Sequence, residues 1–153
     1  MPSYAAEVLS VDDDGFLVYN KTRKEGTLME AIWEYLKTCG VFYLATADGD
    51  QPRIRPMHAI VLAENQLYFR AGKEKGITRQ LLENPRCELC AFSGQDWLRI
   101  TAKAVPSENI AATMAMETQF PRRMGDGTPQ LFCLQEGTAV LSKYAEVQRV
   151  ILF

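Results

Sequence analysis

Val41-Phe42-Tyr43-Leu44-Ala45-Thr46-Ala47-Asp48-Gly49-Asp50-Gln51-Pro52-Arg53-Ile54-Arg55-Pro56-Met57-His58 is the stretch that decides how this chain folds. Val41 to Ala47 is apolar and β-prone, and Asp48 to Pro52 carries the Asp, Gly and Pro of a tight turn. Beyond the turn, Arg53, Arg55 and Met57 alternate with Ile54, Pro56 and His58, and the sequence then stays apolar as far as Ala63. Alternation with period two marks a strand that turns one face to a core. The spacing predicts a hairpin whose return strand runs over 53–63.

The same signals recur downstream. Glu64-Asn65-Gln66 turns the chain into a strand from Leu67 to Ala71. Gly72 to Asn84 reads as a loop entering a short helix, with Ile77, Leu81 and Leu82 apolar and Pro85 ending it. Arg86 to Phe92 is a strand, Ser93 to Asp96 a hairpin turn, and Trp97 to Val105 a strand with two faces. Trp97, Arg99, Thr101 and Lys103 share one face, and Leu98, Ile100, Ala102 and Ala104 share the other. Ser107 is placed to cap an Ala- and Met-rich helix reaching about Thr118, and Gln130 to Ser142 is the last long strand. Glu146 to Phe153 suits either a strand or a helix end.

Upstream, Thr27 followed by Glu30 has the form of a capping box, and Leu28, Ala31, Ile32, Tyr35 and Leu36 recur at helical spacing up to a stop at Gly40. Glu7 to Val11 and Phe16 to Tyr19 flank Asp12-Asp13-Asp14-Gly15, a hairpin signal. The chain thus divides into an N-terminal hairpin extension and connector over 1–26 and a main domain over 27–153. The fold class is mainly β: an antiparallel barrel of six to eight strands with about three flanking helices.

A length of 153 residues suits one core. Seventeen basic against nineteen acidic side chains give a net charge of −2, which argues against coating a nucleic acid but leaves a small anionic ligand open. The longest uncharged run, Thr38 to Ala47, has ten residues, where a membrane span needs about 20. Glu7 and Asp12 to Asp14 do not fit a secretory signal, so a cytoplasmic location with four reduced thiols is expected. Cys87 and Cys90 stand three apart in a strand, which points them to opposite faces, and His58 is the sole histidine. A metal site is not expected. No Ser/His/Asp or Cys/His set is visible, so no catalytic residue is assigned.

Taken in order, several segments resemble the pyridoxamine 5′-phosphate oxidase-like, FMN-binding split-barrel family. They are Phe42 to Thr46; Gly49 to Met57; Leu67 to Lys75; Leu81 to Leu89, with its Asn84-Pro85; and Trp97 to Ala104. The resemblance covers about residues 28–142. It implies a split barrel with FMN at a homodimer interface, each site drawing on both subunits. It further implies that Arg55, Pro56, Met57 and His58 run along the flavin ring and ribityl chain. Lys75 then contacts the phosphate beside the Ala71 to Glu74 loop, and Trp97 and Arg99 lie near the ring.

Elementary electrostatics points the same way. A phosphate monoester carries about −2 charge, and Lys73 and Lys75 sit beside a predicted helix start whose free N–H groups favour an anion. Arg55 and Arg79 can add charge-assisted hydrogen bonds, while Glu74 opposes them. Other readings of the same residues stay open. Lys73, Lys75 and Arg79 also suit a solvated helix face, Arg53 and Arg55 the wet side of a strand, and Trp97 a filled core or interface. His58 falls in phase with Ile54, Ile60 and Leu62, as a packed, hydrogen-bonded histidine would.

The resemblance is to the small bacterial members, which are similar to nitroimidazole reductases and general stress proteins. Residues 142–153 lack the Arg-x-His of true pyridoxamine phosphate oxidases. The reaction expected is therefore an FMN-dependent oxidoreduction, from NADH or NADPH to a small-molecule acceptor. Alternatives are a flavin protein without turnover, a haem-binding split barrel with His58 as ligand, a binder of the deazaflavin cofactor F420, and a cofactor-free dimeric interaction module. Met114, Met116, Phe120 and Phe132 are the candidate apolar patch for dimerisation.

Overall fold

The computed structural model describes residues 10–11, 17–18, 25–143 and 146–153. Ser10–Val11 (β1) pairs antiparallel with Leu17–Val18 (β2), as expected of a hairpin; its Asp12 to Gly15 turn lies outside the described residues. Helix α1 spans Glu25–Cys39. It starts two residues before the expected cap, which puts Thr27 inside the first turn. Gly40 ends it with a φ of +74°, a left-handed conformation that glycine adopts without a Cβ penalty.

Strands β3 (Phe42–Asp48) and β4 (Gln51–Met57) form the predicted hairpin, with Gly49 at a φ of +63° in its two-residue turn. There follow β5 (Ile60–Ala63), β6 (Gln66–Gly72), helix α2 (Gly76–Glu83), β7 (Arg86–Ser93) and β8 (Asp96–Ser107). Helix α3 (Ile110–Gln119), β9 (Pro129–Lys143) and β10 (Glu146–Leu152) complete the chain, so the tail is a strand. All pairings are antiparallel, in the order β4-β3-β7-β8-β9-β6-β5, with β10 alongside the second half of β9.

That order overturns the single strand expected over 53–63. His58 and Ala59 interrupt it, and β4 and β5 occupy opposite edges of the sheet. Two linking residues reach only about 10 Å, so the sheet must curl until its edges nearly meet. The edges are not hydrogen-bonded to each other. The barrel is closed by the chain and left open by the ladder, which makes it split. Ile54 and Ile60 consequently do not share a face: Ile54 is 70% exposed and Ile60 is 2% exposed.

The barrel interior is filled by inward residues of nearly every strand, among them Phe42, Leu44, Phe69, Leu89, Leu134 and the predicted face Leu98, Ile100, Ala102 and Ala104. Met29, Ile32 and Leu36 of α1 pack into it. A second cluster lies under α3, where Ala112 and Met116 meet Val61, Tyr68 and Cys133. Three details differ from expectation: the end of β8, the cap of α3 and the burial of Met116 and Phe132. Strand β8 runs on through Pro106, paired in register with Phe132, so Asn109 rather than Ser107 caps α3, accepting the Ala112 N–H at 2.8 Å. Leu82 is exposed on α2. Met116 and Phe132 are 1% and 0% exposed, which makes them core rather than dimer patch. Of that expected patch, Phe120 is half-buried and only Met114 is well exposed.

The cysteines are free thiols, and no metal-binding cluster occurs among the described residues. Among those residues no helix is long and apolar enough to cross a membrane. Burial pushes the Cys87 thiol up to about 12, and burial likewise raises the Tyr35 and Tyr68 hydroxyls to about 12.

Two outcomes follow. Phe132→Ala is expected to cost about 3–5 kcal/mol in urea denaturation; unchanged stability with a weakened dimer would return Phe132 to the surface. Between the ordinary thiol value of 9.0 and about 12, folded Cys87 keeps a proton that the unfolded chain loses. Stability therefore falls as pH rises through that window. Thermal melts should show the fall, and it should be shallower in Cys87→Ala; a wild-type slope in the variant contradicts the assignment.

Candidate functional site

The seam between the two sheet edges opens into a cleft of about 440 Å3. Its walls are the end of β4, the His58-Ala59 link, the end of β6, the start of α2 and the loop from Gln119 to Pro129. Six of the residues picked from the sequence, Arg55, Pro56, Met57, His58, Ala71 and Lys75, line it together.

Arg55 lies on the inward face of β4, opposite Leu44. Its Nη1 donates to the Leu44 carbonyl at 3.2 Å and to Thr46 Oγ1 at 2.7 Å, and its Nη2 donates to Gln80 Oε1 at 2.7 Å. Thr46 in turn donates to Gln80 Oε1 at 2.7 Å. Every one of these acceptors is neutral. Among the described residues Arg55 has no carboxylate partner, and burial, followed by the nearby Arg53 charge, draws its pKa down. It keeps its proton, since arginine starts far above neutrality. The site therefore holds a half-buried positive charge that no carboxylate among the described residues neutralises.

Helix α2 brings a second attraction for anions. Lys75 occupies its N-cap without a side-chain cap hydrogen bond, and Lys75 and Ile77 both face the cleft. The first N–H groups of a helix lack intrahelical partners and carry partial positive charge. Glu74, the apparent obstacle in the sequence, is held by Thr128: its carboxylate accepts the Thr128 N–H at 3.2 Å, and hydrogen bonding, first to the Thr128 side chain and then to backbone N–H groups, holds its pKa below the ordinary range. Gly127 takes a φ of +72° against this carboxylate, where a Cβ would collide with Glu74 Oε2.

The 119–129 loop is tied down on both sides. Lys73 N–H donates to the Thr128 carbonyl at 2.7 Å, and Arg70 Nη2 donates to the Phe120 carbonyl at 2.8 Å. Glu117 forms ion pairs with both Arg70, at 3.5 Å, and Arg122, at 3.2 Å. His58 meets Phe120 edge-on at 5.8 Å and is exposed at the cleft rim, not packed as its strand phase suggested. The lining carries five arginine or lysine side chains (Arg55, Arg70, Lys75, Arg122, Arg123) against one carboxylate, Asp126. Even with Arg70 and Arg122 paired to Glu117, the lining keeps an excess of positive charge in a chain of net charge −2.

Arg79, Trp97 and Arg99 do not line the cleft. Arg79 pairs with Asp48 at 2.9 Å and Glu83 at 3.3 Å. Arg99 pairs with Glu88 at 3.0 Å and stacks over Trp97. Both lie on the outer face of the sheet, in register with Cys90 and Phe92. The sequence reading missed Thr46, Gln80, Arg70 and the Arg122-Arg123 pair. A signal existed for Gln80, a polar residue on the apolar side of α2 between Ile77 and Leu81. Nothing local marked the others.

Comparison with known proteins agrees with this architecture. A family model described as "Pyridoxamine 5′-phosphate oxidase" matches residues 28–145. A crystal structure of a NimC/NimA family protein from Clostridium acetobutylicum is 27% identical, with a TM-score of 0.70, covering 82% of this chain and 93% of that one. General stress protein 26 from Bacillus anthracis is 17% identical at a TM-score of 0.60, covering 80% and 98%. HupZ from Group A Streptococcus is 16% identical at 0.56, covering 80% and 92%; these last two share the fold. No curated protein matches. By its match over residues 28–145 and by its split sheet, the chain belongs to the pyridoxamine 5′-phosphate oxidase family.

Proposed function

We propose that the cleft binds FMN and that the protein is an FMN-dependent oxidoreductase, passing electrons from NADH or NADPH to a small-molecule acceptor. The observation that carries this reading is Arg55, a half-buried cation held only by neutral groups and facing a cleft beside the α2 N-terminus. The cleft suits the group in size, since small-molecule sites occupy roughly 300–1,000 Å3. Arg55 and Lys75 supply charge for a phosphate, and Met57, Ile77 and Phe120 supply apolar wall for a ring.

FMN, when bound, supplies the hydride chemistry. The chain's own contributions are binding and placement. Arg55 and Lys75 anchor the anionic end, the apolar wall excludes water, and His58 at the rim offers a hydrogen-bonding ring nitrogen to an incoming molecule. This reading does not need a nucleophile or a metal.

A second copy completes the site. Tyr43, Ile54 and Phe92 are 40%, 70% and 63% exposed on the outer sheet face. Register puts Pro56, Cys90, Trp97 and Arg99 on that same face. An apolar sheet face of this kind favours burial against a symmetric mate. Trp97 and Arg99 then belong to the contact between subunits rather than to the cleft of their own.

Arg55→Gln is expected to weaken FMN binding at least about tenfold, the worth of one charge-assisted hydrogen bond. Riboflavin, which lacks the phosphate, should be unaffected, and Arg79→Gln should leave both affinities as they are. Equal loss of FMN and riboflavin, or wild-type FMN affinity in Arg55→Gln, contradicts the anchor. Ile54→Asp should shift the protein from dimer to monomer in analytical ultracentrifugation; an unchanged dimer removes this face as the interface. The redox half fails if the FMN-loaded protein oxidises neither nicotinamide with any acceptor.

A further inference from the structure

The side chains of Arg55, Thr46 and Gln80 form a closed ring of hydrogen bonds. Arg55 Nη1 donates to Thr46 Oγ1, Thr46 donates to Gln80 Oε1, and Arg55 Nη2 donates to the same Gln80 oxygen, each at 2.7 Å. Thr46 is 4% exposed and Gln80 is 5% exposed, so the ring is walled off from water on the protein side. A buried polar ring contributes little net stability compared with well-packed apolar residues of the same shape. Stability alone therefore gives little reason for it.

The ring does have a consequence for the guanidinium. Arginine presents five N–H donors in a fixed plane. Both Nη1 hydrogens are used, on the Leu44 carbonyl and Thr46, and one Nη2 hydrogen is used on Gln80. The two that remain, on Nε and Nη2, form one side of the guanidinium fork, the arrangement that grips two oxygens of a phosphate or carboxylate. The ring fixes the plane of that fork and spends no negative charge in doing so.

We infer that Gln80 and Thr46 are positioning residues that keep Arg55 oriented and its charge uncompensated, so that position 80 decides whether the cleft accepts an anion. A carboxylate there would occupy the same space, accept the same two hydrogen bonds and cancel the charge. Gln80→Glu thus converts an anion site into an internal ion pair with the fold intact. The inference rests on the anion-binding reading of the cleft and assigns that reading's selectivity to a side chain that need not touch the ligand.

The test is a set of titrations on the whole protein with FMN, riboflavin and inorganic phosphate, the last read as a rise in Tm. Wild type should bind FMN more tightly than riboflavin and be stabilised by phosphate. Gln80→Glu should melt no lower than wild type without ligand, lose at least about tenfold in FMN affinity, keep its riboflavin affinity and lose the phosphate effect. Thr46→Val, the second variant, should lower FMN affinity less, again without touching riboflavin. A purely structural role would move Tm and both flavins together, which overturns the inference, as does Gln80→Glu with wild-type FMN affinity. If Gln80→Glu does not fold, Thr46→Val decides: an unchanged ratio of FMN to riboflavin affinity overturns the inference. If wild type ignores FMN but responds to phosphate, the flavin reading falls and the phosphate arm still decides the role of Gln80. If wild type responds to neither, both fall.

Discussion

Two residues, His58 and Ala59, join the strands at opposite edges of the sheet, and the rest of the molecule is arranged around that short tether. A seven-strand path cannot stay open when its ends are so close; it must curl, and curling turns one face inward over its whole width. The inward face then has to be apolar and well filled. It is, with Phe42, Leu44, Phe69, Leu89 and Leu134 all essentially inaccessible. The edges that face each other across the seam form no ladder, and each is paired on one side alone, β4 with β3 and β5 with β6. An unpaired seam is a weak point in a barrel and, in the same geometry, a natural place for a cleft.

The cleft inherits its chemistry from the elements that end there. Strand β4 delivers Arg55 on its inward side just before the tether, and α2 presents its N-terminus and Lys75 from the other bank. The usual way to hold a half-buried arginine is to pair it, and this chain does not. Leu44, Thr46 and Gln80 accept three of the five N–H donors of Arg55 and leave its charge unanswered. Nearby acids leave Arg55 alone: Glu74 accepts from Thr128, Asp48 pairs with Arg79, and Glu117 pairs with Arg70 and Arg122 of the cleft wall. The outcome is a positive cleft in a slightly acidic protein, consistent with a family in which an anionic, ring-bearing cofactor is common.

Local patterns carried most of the fold. The alternation in Trp97 to Ala104 assigned the inner and outer faces of β8, and the turn residues at Gly49 and Gly94 located two hairpins. The break at His58-Ala59 was illegible because neither residue is a turn former and the apolar run continues across it. Strand order is a property of pairings remote in sequence, and no local spacing encodes it. The cap of α3 was misplaced for a related reason: Ser107 and Asn109 are both good caps, and only the pairing of Pro106 with Phe132 decides between them. At the site, Arg55, Lys75 and their neighbours were legible through family order. Thr46 and Gln80 were not, since they meet Arg55 only after the hairpin and α2 have packed together. Arg79 and Arg99 looked equally cationic in sequence, but each has a carboxylate within reach.

On the proposed function, the anionic end of the ligand sits on the open side of the Arg55 guanidinium. A crystal structure of the protein with FMN tests it most directly. The account expects the phosphate against Arg55 Nε and Nη2, near Lys75 and the first turn of α2, with the Thr46–Gln80 ring unchanged. A flavin whose phosphate lies instead on Arg122 and Arg123, or on the outer face by Arg99, with Arg55 bound to no ligand, would contradict it.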